Sequence, residues 1–151
     1  VSVHSVAAYV LGGHGDNMVP MVAYTNVAGQ PISSRLTQEQ IQRIVHRTRE
    51  GGEEIVGLLQ TGSAFYAPSA AATQMIEAIL FDRREILPCS AYLEGEHGIS
   101  GVFVGVPTAL GRKGIEEVIE IELADHELSA LQGSAQSVQI LVDKMRSATK
   151  I

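Results

Sequence analysis

The chain has 151 residues, enough for one domain, and its 45% apolar and 19% charged residues are the balance of a globular protein with a hydrophobic core. A net charge of −6 and a pI near 5.3 argue against a general role in binding nucleic acids or anionic membranes, and no apolar run approaches the roughly 20 residues of a membrane span. The single cysteine, Cys89, lies in an apolar run, which predicts a core thiol in a reducing compartment and argues against a disulfide scaffold or a zinc site.

The N-terminal part of the chain predicts two strands and a turn. Residues 6–12 form a short apolar run that ends at glycine, which is typical of a buried strand, and residues 21–28 indicate a second strand. The stretch AGQP, residues 28–31, predicts a turn. The chain opens in strand-like sequence, without a methionine or the basic segment of a signal peptide, so we expect it to begin within a larger protein.

A long helix is predicted next. Thr37 and Gln40 have the spacing of a capping box, and apolar residues recur behind them with the period of a helix. The pair Gly51-Gly52 is expected to interrupt this helix, because glycine is a poor helix former. The helical pattern then resumes over residues 53–60.

The next helix is expected to be buried. Residues 61–69, TGSAFYAPS, indicate a loop of small residues, and Pro68 is the candidate first helical position behind it. Residues 69–82 are apolar almost all round, which predicts a central helix that packs closely through its alanines.

Three strand candidates follow, at residues 86–93, 101–107 and 115–123. In the last of them isoleucine and leucine alternate with glutamate, so one face is exposed to water and an antiparallel sheet is expected. A closing helix is predicted to start near Asp125, with Gly133 inside it and an apolar stripe of Leu128, Leu131, Ala135, Val138, Leu141 and Met145. These elements predict an α+β fold in which a mixed or antiparallel sheet packs against two or three long helices.

Among the five histidines, His14 has the setting of a functional residue. Glycines 12, 13 and 15 surround it, let the backbone approach closely, and leave open space for a ligand. An imidazole exchanges its proton near neutral pH and can act as a general acid or base. A turn histidine bonded within its own loop explains the pattern equally well. Asp16 is a candidate to orient His14, although capping of its own loop is the stronger interpretation.

The other chemistry-bearing residues show no diagnostic pattern. His46 and His126 lie in polar helical context, His4 lies near the N-terminus, and His97 indicates a turn. The acidic residues beside His97 lack the spacing of a metal site, so no metal is predicted. The chain also contains neither a glycine-rich nucleotide-phosphate motif nor the nucleophile elbow of a hydrolase.

Five segments together resemble one enzyme family. They are GGHGDNMVP (12–20), VAGQPI (27–32), RTREGGEEIVGLLQTGSAFYAP (47–68), ILPCSAYL (86–93) and VFVGVP (102–107). They resemble the C-terminal half of bacterial malate dehydrogenases of the lactate-dehydrogenase-like type, and the resemblance runs through essentially the whole chain. Lactate enzymes usually have GEHGDS at the first segment and differ at the third, so the resemblance to malate enzymes is closer.

The resemblance implies a role for each matching residue. Residues 1–151 would be the C-terminal catalytic and substrate domain, and NAD would bind mainly to an N-terminal dinucleotide-binding domain outside this chain. His14 matches the catalytic histidine, which protonates the carbonyl oxygen of oxaloacetate during reduction and takes the proton back from malate. Ser63 falls where the family lines its substrate pocket, and Ala67 and Pro68 fall near the nicotinamide.

The resemblance also implies a cytoplasmic enzyme of the tricarboxylic acid cycle that forms a homo-oligomer, a dimer or a tetramer. The aspartate that orients the histidine and the arginines that clamp the substrate carboxylates are expected outside this chain, so the chain alone is expected to be inactive. Two departures are local: His97 stands where relatives often have tyrosine, and the loop after PIS is shorter. The alternatives are the C-terminal domain of a lactate or other 2-hydroxyacid dehydrogenase, and a non-catalytic oligomerisation module.

Overall fold

The computed structural model describes residues 1–148, except for the side chain of Asp16. Its strands are β1 (Val6–Ala7), β2 (Val10–Gly12), β3 (Met18–Pro20), β4 (Asn26–Val27), β5 (Gln30–Pro31), β6 (Glu85–Glu94), β7 (Ser100–Gly111) and β8 (Gly114–Val118). Its α-helices are α1 (Gln38–Leu59), α2 (Tyr66–Leu80) and α3 (Asp125–Ala148). Short 3-10 helices occur at Val3–Ser5, Gly15–Asn17, Ile32–Ser34 and Glu96–Gly98.

The larger sheet has five antiparallel strands, in the order β3-β2-β7-β6 with β8 paired to β7. Strand β7 is its centre and forms a hairpin with the edge strand β6, in which Tyr92 lies opposite Phe103 and Ser90 opposite Gly105. Strand β2 joins β7 where Gly12 lies opposite Gly105. Helix α3 packs against β7 and β2. The predicted α+β class, with an antiparallel sheet against long helices, is confirmed.

The N-terminal strands are shorter than the sequence predicts. Residues 6–12 are divided between β1, which belongs to a three-stranded sheet with β4 and β5, and β2, which belongs to the larger sheet. The predicted strand at 21–28 is wrong for most of its length, because β3 ends before it and only β4 lies within it. An apolar run predicts burial but does not determine which sheet each residue joins. The predicted turn is confirmed at Ala28 and Gly29, which both have positive φ.

Helix α1 begins where the sequence predicts. The hydroxyl of Thr37 accepts the N–H of Gln40 at 3.3 Å, and the side-chain oxygen of Gln40 accepts the N–H of Thr37 at 2.9 Å. The predicted interruption at Gly51-Gly52 is wrong, because the helix continues through both glycines. Each glycine weakens a helix by about 1 kcal/mol relative to alanine. An ion pair between Arg47 and Glu54, with 2.7 Å between Nη2 and Oε1, bridges the glycine pair on the helix surface.

Helix α2 differs from its prediction in both start and burial. It starts at Tyr66, so Pro68 is its third residue rather than its first. Proline is tolerated there because the first N–H groups of a helix have no partner within it. Within the described residues only Ala78 of this helix is buried, whereas Leu80 is 68% exposed. The composition indicates an apolar surface, but burial depends on what packs against that surface.

The last predicted strand is too long. Strand β8 ends at Val118, and the chain leaves the sheet after the N–H of Ile119 bonds to the carbonyl oxygen of Pro107 at 2.8 Å. The predicted alternation of burial nevertheless holds beyond the strand. Ile121 and Leu123 pack against the core, while the two glutamates that flank Ile121 are exposed.

Helix α3 starts at Asp125 and passes through Gly133, as predicted. Its apolar stripe is buried only in the first half of the helix. Leu131 lies in the core, whereas Leu141 and Met145 are 60% and 69% exposed. The first half contributes to the hydrophobic cluster of the larger sheet, and the second half extends beyond it.

The main hydrophobic core lies between the larger sheet and α3. Cys89 is buried, as predicted, in a smaller cluster that it shares with Ala78 of α2. No helix within residues 1–148 combines the length and the apolar character that crossing a membrane requires. The fully buried residues of the main core are Leu11, Met21, Leu93, Val106 and Leu131.

Candidate functional site

A cleft of about 1130 Å³ opens between α1, the start of α2 and the loop that follows β2. Its lining includes all four residues to which the family resemblance assigns a role: His14, Ser63, Ala67 and Pro68. The volume is slightly larger than the roughly 300–1,000 Å³ that small-molecule pockets span. The fold therefore brings the predicted site residues, which come from two distant parts of the chain, to one cavity.

His14 lies between β2 and the short helix Gly15–Asn17. Its backbone is extended, with φ −103° and ψ 149°, and its exposed side chain makes no capping hydrogen bond to that helix. Gly12 and Gly15 have φ values of 81° and 76°, a left-handed conformation that favours glycine. The glycines bend the backbone on both sides of His14 and so present its imidazole to the cleft.

The other side of this loop is packed tightly against the sheet and α3. A β-carbon at Gly12 would lie 2.7 Å from the carbonyl oxygen of Asn17 and 2.9 Å from Oγ of Ser134. A β-carbon at Gly105 would overlap the carbonyl oxygen of Gly12. These contacts exclude any larger residue at either position without a shift of the backbone. The loop is thus held from behind, while His14 faces the open side.

Ser134 of α3 holds the same loop and was missed by the sequence analysis. The N–H of Gly13 donates to Oγ of Ser134 at 2.6 Å, a contact that joins residues 121 positions apart. Ser134 is 3% exposed. In the sequence, Ser134 directly precedes Ala135 of the apolar stripe, which places it next to the buried face of the closing helix. A buried hydroxyl normally has a hydrogen-bond partner, so this position was the available signal for a tertiary contact.

Gly51 and Gly52 line the cleft instead of breaking α1. A β-carbon at Gly52 would lie 4.0 Å from Nε2 of His14, and one at Gly51 would meet nothing within 4 Å. The absence of a side chain at Gly52 therefore leaves room beside the imidazole. Two adjacent glycines within a continuous amphipathic pattern were the signal for this space.

Charged residues of α1 also line the cleft. Arg49 donates from Nε to the carbonyl oxygen of Met18 at 3.1 Å, which ties α1 to the end of the His14 loop. Glu50 and Glu53 line the cleft as well, so its walls offer one guanidinium against two carboxylates. On the same helix, the hydrogen bond from Arg47 lowers the pKa of the Glu54 carboxyl below its ordinary value.

The remaining histidines do not line the cleft. His46 and His126 are exposed on helices, as predicted. His97 occupies the predicted turn with φ 52°, and its Nε2 is buried without a hydrogen-bond partner. Among the described residues, no group of three or more His, Cys, Asp or Glu could hold a metal ion. The side chain of Asp16, which the sequence suggests as a partner of His14, lies outside the described part of the chain.

Comparison with known proteins matches the chain to one family along almost its whole length. The model of the lactate/malate dehydrogenase alpha/beta C-terminal domain matches residues 1–149. A malate dehydrogenase from Chloroherpeton thalassium is 56% identical over 147 residues, which cover 97% of this chain and 47% of that protein. The chain therefore spans about half the length of the curated relatives it matches.

Solved structures share the fold over almost the whole of this chain and about half of their own length. The malate dehydrogenase from Salinibacter ruber matches with a TM-score of 0.94 at 48% identity, over 97% of this chain and 48% of that one. A lactate dehydrogenase from Eimeria maxima, solved with NADH and oxamate, has the same TM-score of 0.94 at 37% identity, over 100% of this chain and 49% of that one. The shape is common to both kinds of enzyme, whereas the identity is higher for the malate enzyme.

Proposed function

The chain belongs to the lactate/malate dehydrogenase family as its alpha/beta C-terminal domain, and from this premise we propose that it carries the proton donor and one wall of the substrate site of an NAD-dependent malate dehydrogenase. One observation carries the proposal: His14, Ser63, Ala67 and Pro68 line a single cleft. The family resemblance gives these residues separate roles in one reaction. Only residues that share a site can perform such roles together.

His14 acts as proton donor and acceptor in this proposal. During reduction of oxaloacetate the protonated imidazole gives its proton to the carbonyl oxygen, which becomes the hydroxyl of malate. In the reverse direction the neutral imidazole takes that proton back. General acid–base catalysis typically contributes roughly 10²–10⁴-fold to a rate. The exposure of His14, and the free space that Gly52 leaves beside Nε2, support this role.

The cleft also fits the reactive end of a nicotinamide cofactor next to the substrate. Its volume of about 1130 Å³ exceeds what a four-carbon acid needs, and Ala67 and Pro68 offer short apolar surfaces that suit an aromatic ring. When bound, NAD supplies the hydride chemistry at the substrate carbon. Ser63 lines the same cleft, and in this proposal its hydroxyl hydrogen-bonds the substrate.

We assign the remaining parts of the site to a dinucleotide-binding domain outside residues 1–151. The described cleft offers Arg49 as its permanent positive charge against Glu50 and Glu53, whereas oxaloacetate and malate each carry two carboxylates. The carboxylate clamp, the aspartate that orients His14 and most of the NAD site are therefore expected elsewhere in the full-length protein. Orientation by such groups supplies roughly 7–11 kcal/mol of barrier reduction, so the chain alone should turn over at the background rate.

Replacement of His14 by asparagine in the full-length protein tests the proposal. The kcat for oxaloacetate reduction should fall by roughly 10²–10⁴-fold, because an amide cannot exchange a proton with the substrate. NADH binding, followed by fluorescence titration, should not change. His46→Asn is the matched control, since His46 is exposed on α1 and does not line the cleft. Stopped-flow hydride transfer near the wild-type rate in His14→Asn would overturn the assignment.

A lactate or other 2-hydroxyacid dehydrogenase is the second candidate. It is favoured by the TM-score of the Eimeria maxima lactate dehydrogenase, which equals that of the Salinibacter ruber malate dehydrogenase. Parallel assays with oxaloacetate and pyruvate separate the two candidates. The higher identity to malate dehydrogenases leads us to expect a preference for oxaloacetate.

The buried thiol of Cys89 is consistent with a reducing compartment such as the cytoplasm.

Assembly into a dimer or tetramer is also part of the proposal. Large apolar side chains that are exposed on the helices promote association with another chain. Sedimentation should give a dimer or a larger species, and a clean monomer would contradict the expectation. Association without any dehydrogenase activity of the full-length protein would instead support the oligomerisation module. The large apolar residues of the helices and their ends that are 60–78% exposed include Leu58, Tyr66, Leu80, Phe81 and Leu141.

A further inference from the structure

The four serines of α3 use their hydroxyl groups in two different ways. Ser129, Ser137 and Ser147 each donate to the carbonyl oxygen four residues earlier, at 2.7, 3.1 and 2.8 Å. This is the ordinary behaviour of a serine inside a helix. Ser134 instead accepts the N–H of Gly13, at 2.6 Å, from the loop that follows β2. Ser134 is 3% exposed, so its hydroxyl is shielded from water.

The hydrogen bond to Ser134 holds the peptide between Gly12 and Gly13, one residue before His14. A β-carbon on Gly13 would lie 3.2 Å from Oγ of Ser134, so the loop and the helix touch at this point. The far end of the loop is held by Arg49, whose Nε donates to the carbonyl oxygen of Met18 at 3.1 Å. His14 thus lies between two anchors. The anchor at Ser134 is the more buried of the two, so less water competes for its hydrogen bond.

We propose that Ser134 is a positioning residue for His14. Its oxygen fixes the peptide between Gly12 and Gly13, one residue before His14, so that the imidazole stays at one point of the cleft during proton transfer. Ser134 does not line the cleft and acts through the loop rather than on the substrate. The inference rests on the proposed function of His14. Without the hydroxyl the partly buried N–H of Gly13 has lost its acceptor, which favours movement of the loop.

Kinetics of Ser134→Ala in the full-length protein test this role. We expect kcat for oxaloacetate reduction to fall by roughly 10- to 100-fold, because a displacement of about 1 Å can lower a rate by 10²-fold. The solvent deuterium isotope effect on kcat should rise, since a misplaced donor slows the proton transfer. A loss of folded enzyme would lower kcat but would leave the isotope effect unchanged. Ser137→Ala is the matched control, because its hydroxyl bonds within α3, and it should change neither quantity.

Hydrogen–deuterium exchange of the peptide that contains Gly13 gives a second measurement that needs no activity. Exchange should be faster in Ser134→Ala and unchanged in Ser137→Ala. Ser134→Cys retains a weaker acceptor of similar shape, so its kcat, isotope effect and exchange rate should be intermediate. The cysteine variant carries the test if Ser134→Ala does not fold.

Wild-type kcat and isotope effect in the folded Ser134 variants would overturn the inference, and so would unchanged exchange at Gly13. Failure of the proposed function has a different signature, namely no oxaloacetate reduction by the wild type or full activity of His14→Asn. In that case the role of Ser134 in proton transfer falls with it. The exchange rates then decide whether Ser134 anchors the loop at all.

Discussion

The two sides of the molecule are built from different kinds of residue. On the core side, formed by the larger sheet and the first half of α3, bulky apolar residues are fully buried, as Val106 and Leu131 show with 0% exposure. On the cleft side, formed by α1, the start of α2 and the His14 loop, bulky apolar residues such as Leu58 and Tyr66 are both 78% exposed. The surfaces that face the cleft are mostly glycine, alanine and polar residues.

This difference indicates that stability and activity depend on different parts of the chain. The core side supplies the buried apolar area that stabilises a fold, at roughly 25 cal/mol per Å². The cleft side leaves space that a well-packed core would fill. The two sides meet at the glycine loop, which packs against Ser134 behind and presents His14 in front. Substitutions on the core side should therefore affect mainly stability, and those on the cleft side mainly activity.

Truncation of one leucine on each part of α3 should show the largest contrast in stability. Leu131→Ala should lower the free energy of unfolding by about 2–5 kcal/mol, because it leaves a cavity in the core. Leu141→Ala should change it by no more than about 0.5 kcal/mol, as expected for a site that is 60% exposed. Urea unfolding of both variants measures this. Equal losses would show that Leu141 is covered in solution.

Addition of a methyl group at Gly52 should separate stability from activity. Gly52→Ala should stabilise α1 by up to about 1 kcal/mol. The same methyl would lie 4.0 Å from Nε2 of His14. We expect kcat/KM for oxaloacetate to fall by about tenfold, the usual effect of one extra carbon in a fitted site. Gly133→Ala is the matched control, since this helical glycine has open space around it and does not line the cleft. A Gly52→Ala enzyme with unchanged kcat/KM would mean that the substrate does not approach this wall.

Acid should remove a small stabilising contribution from the cleft side. The hydrogen bond from Arg47 lowers the pKa of Glu54 from its ordinary value of 4.5. The ion pair therefore stabilises the folded chain above pH 4.5, and this contribution is lost as the pH falls through the lowered value. The difference in Tm between wild type and Glu54→Gln should be largest near neutral pH and should vanish in strong acid. The effect is small because the pair is exposed and screened by salt. Glu53→Gln is the control, and a Tm difference for Glu54→Gln that grows in acid would contradict the assignment.

Elements with local chemistry were predicted well from the sequence. The capping box of Thr37 and Gln40, the start of α3 at Asp125 and the antiparallel strands near 86–93 and 101–107 all depend on residues a few positions apart. Elements whose limits depend on distant partners were predicted poorly. Residues 6–12 divide between two sheets. Helix α1 continues through Gly51-Gly52, although the sequence pattern predicts a break there.

The candidate site was predictable to the same extent. His14 was recognisable because its glycines are its direct neighbours, and Ser63, Ala67 and Pro68 because they belong to one continuous motif. Ser134 was missed because its partner, Gly13, is 121 residues away. The pair Gly51-Gly52 predicts a helix break rather than a space in the cleft, because only the folded chain brings Gly52 beside the imidazole.

Short stretches of sequence are enough to indicate the α+β class, the family resemblance and the choice of His14, because periodicity and contiguous motifs depend on neighbouring residues. The tertiary structure alone decided that His14, Ser63 and the start of α2 share one cleft, that Ser134 anchors the loop behind it, and that α2 lies exposed within the described chain. The physical reason is that burial and long-range hydrogen bonds are properties of pairs of surfaces. A local pattern describes one surface of each pair, and only packing supplies the other.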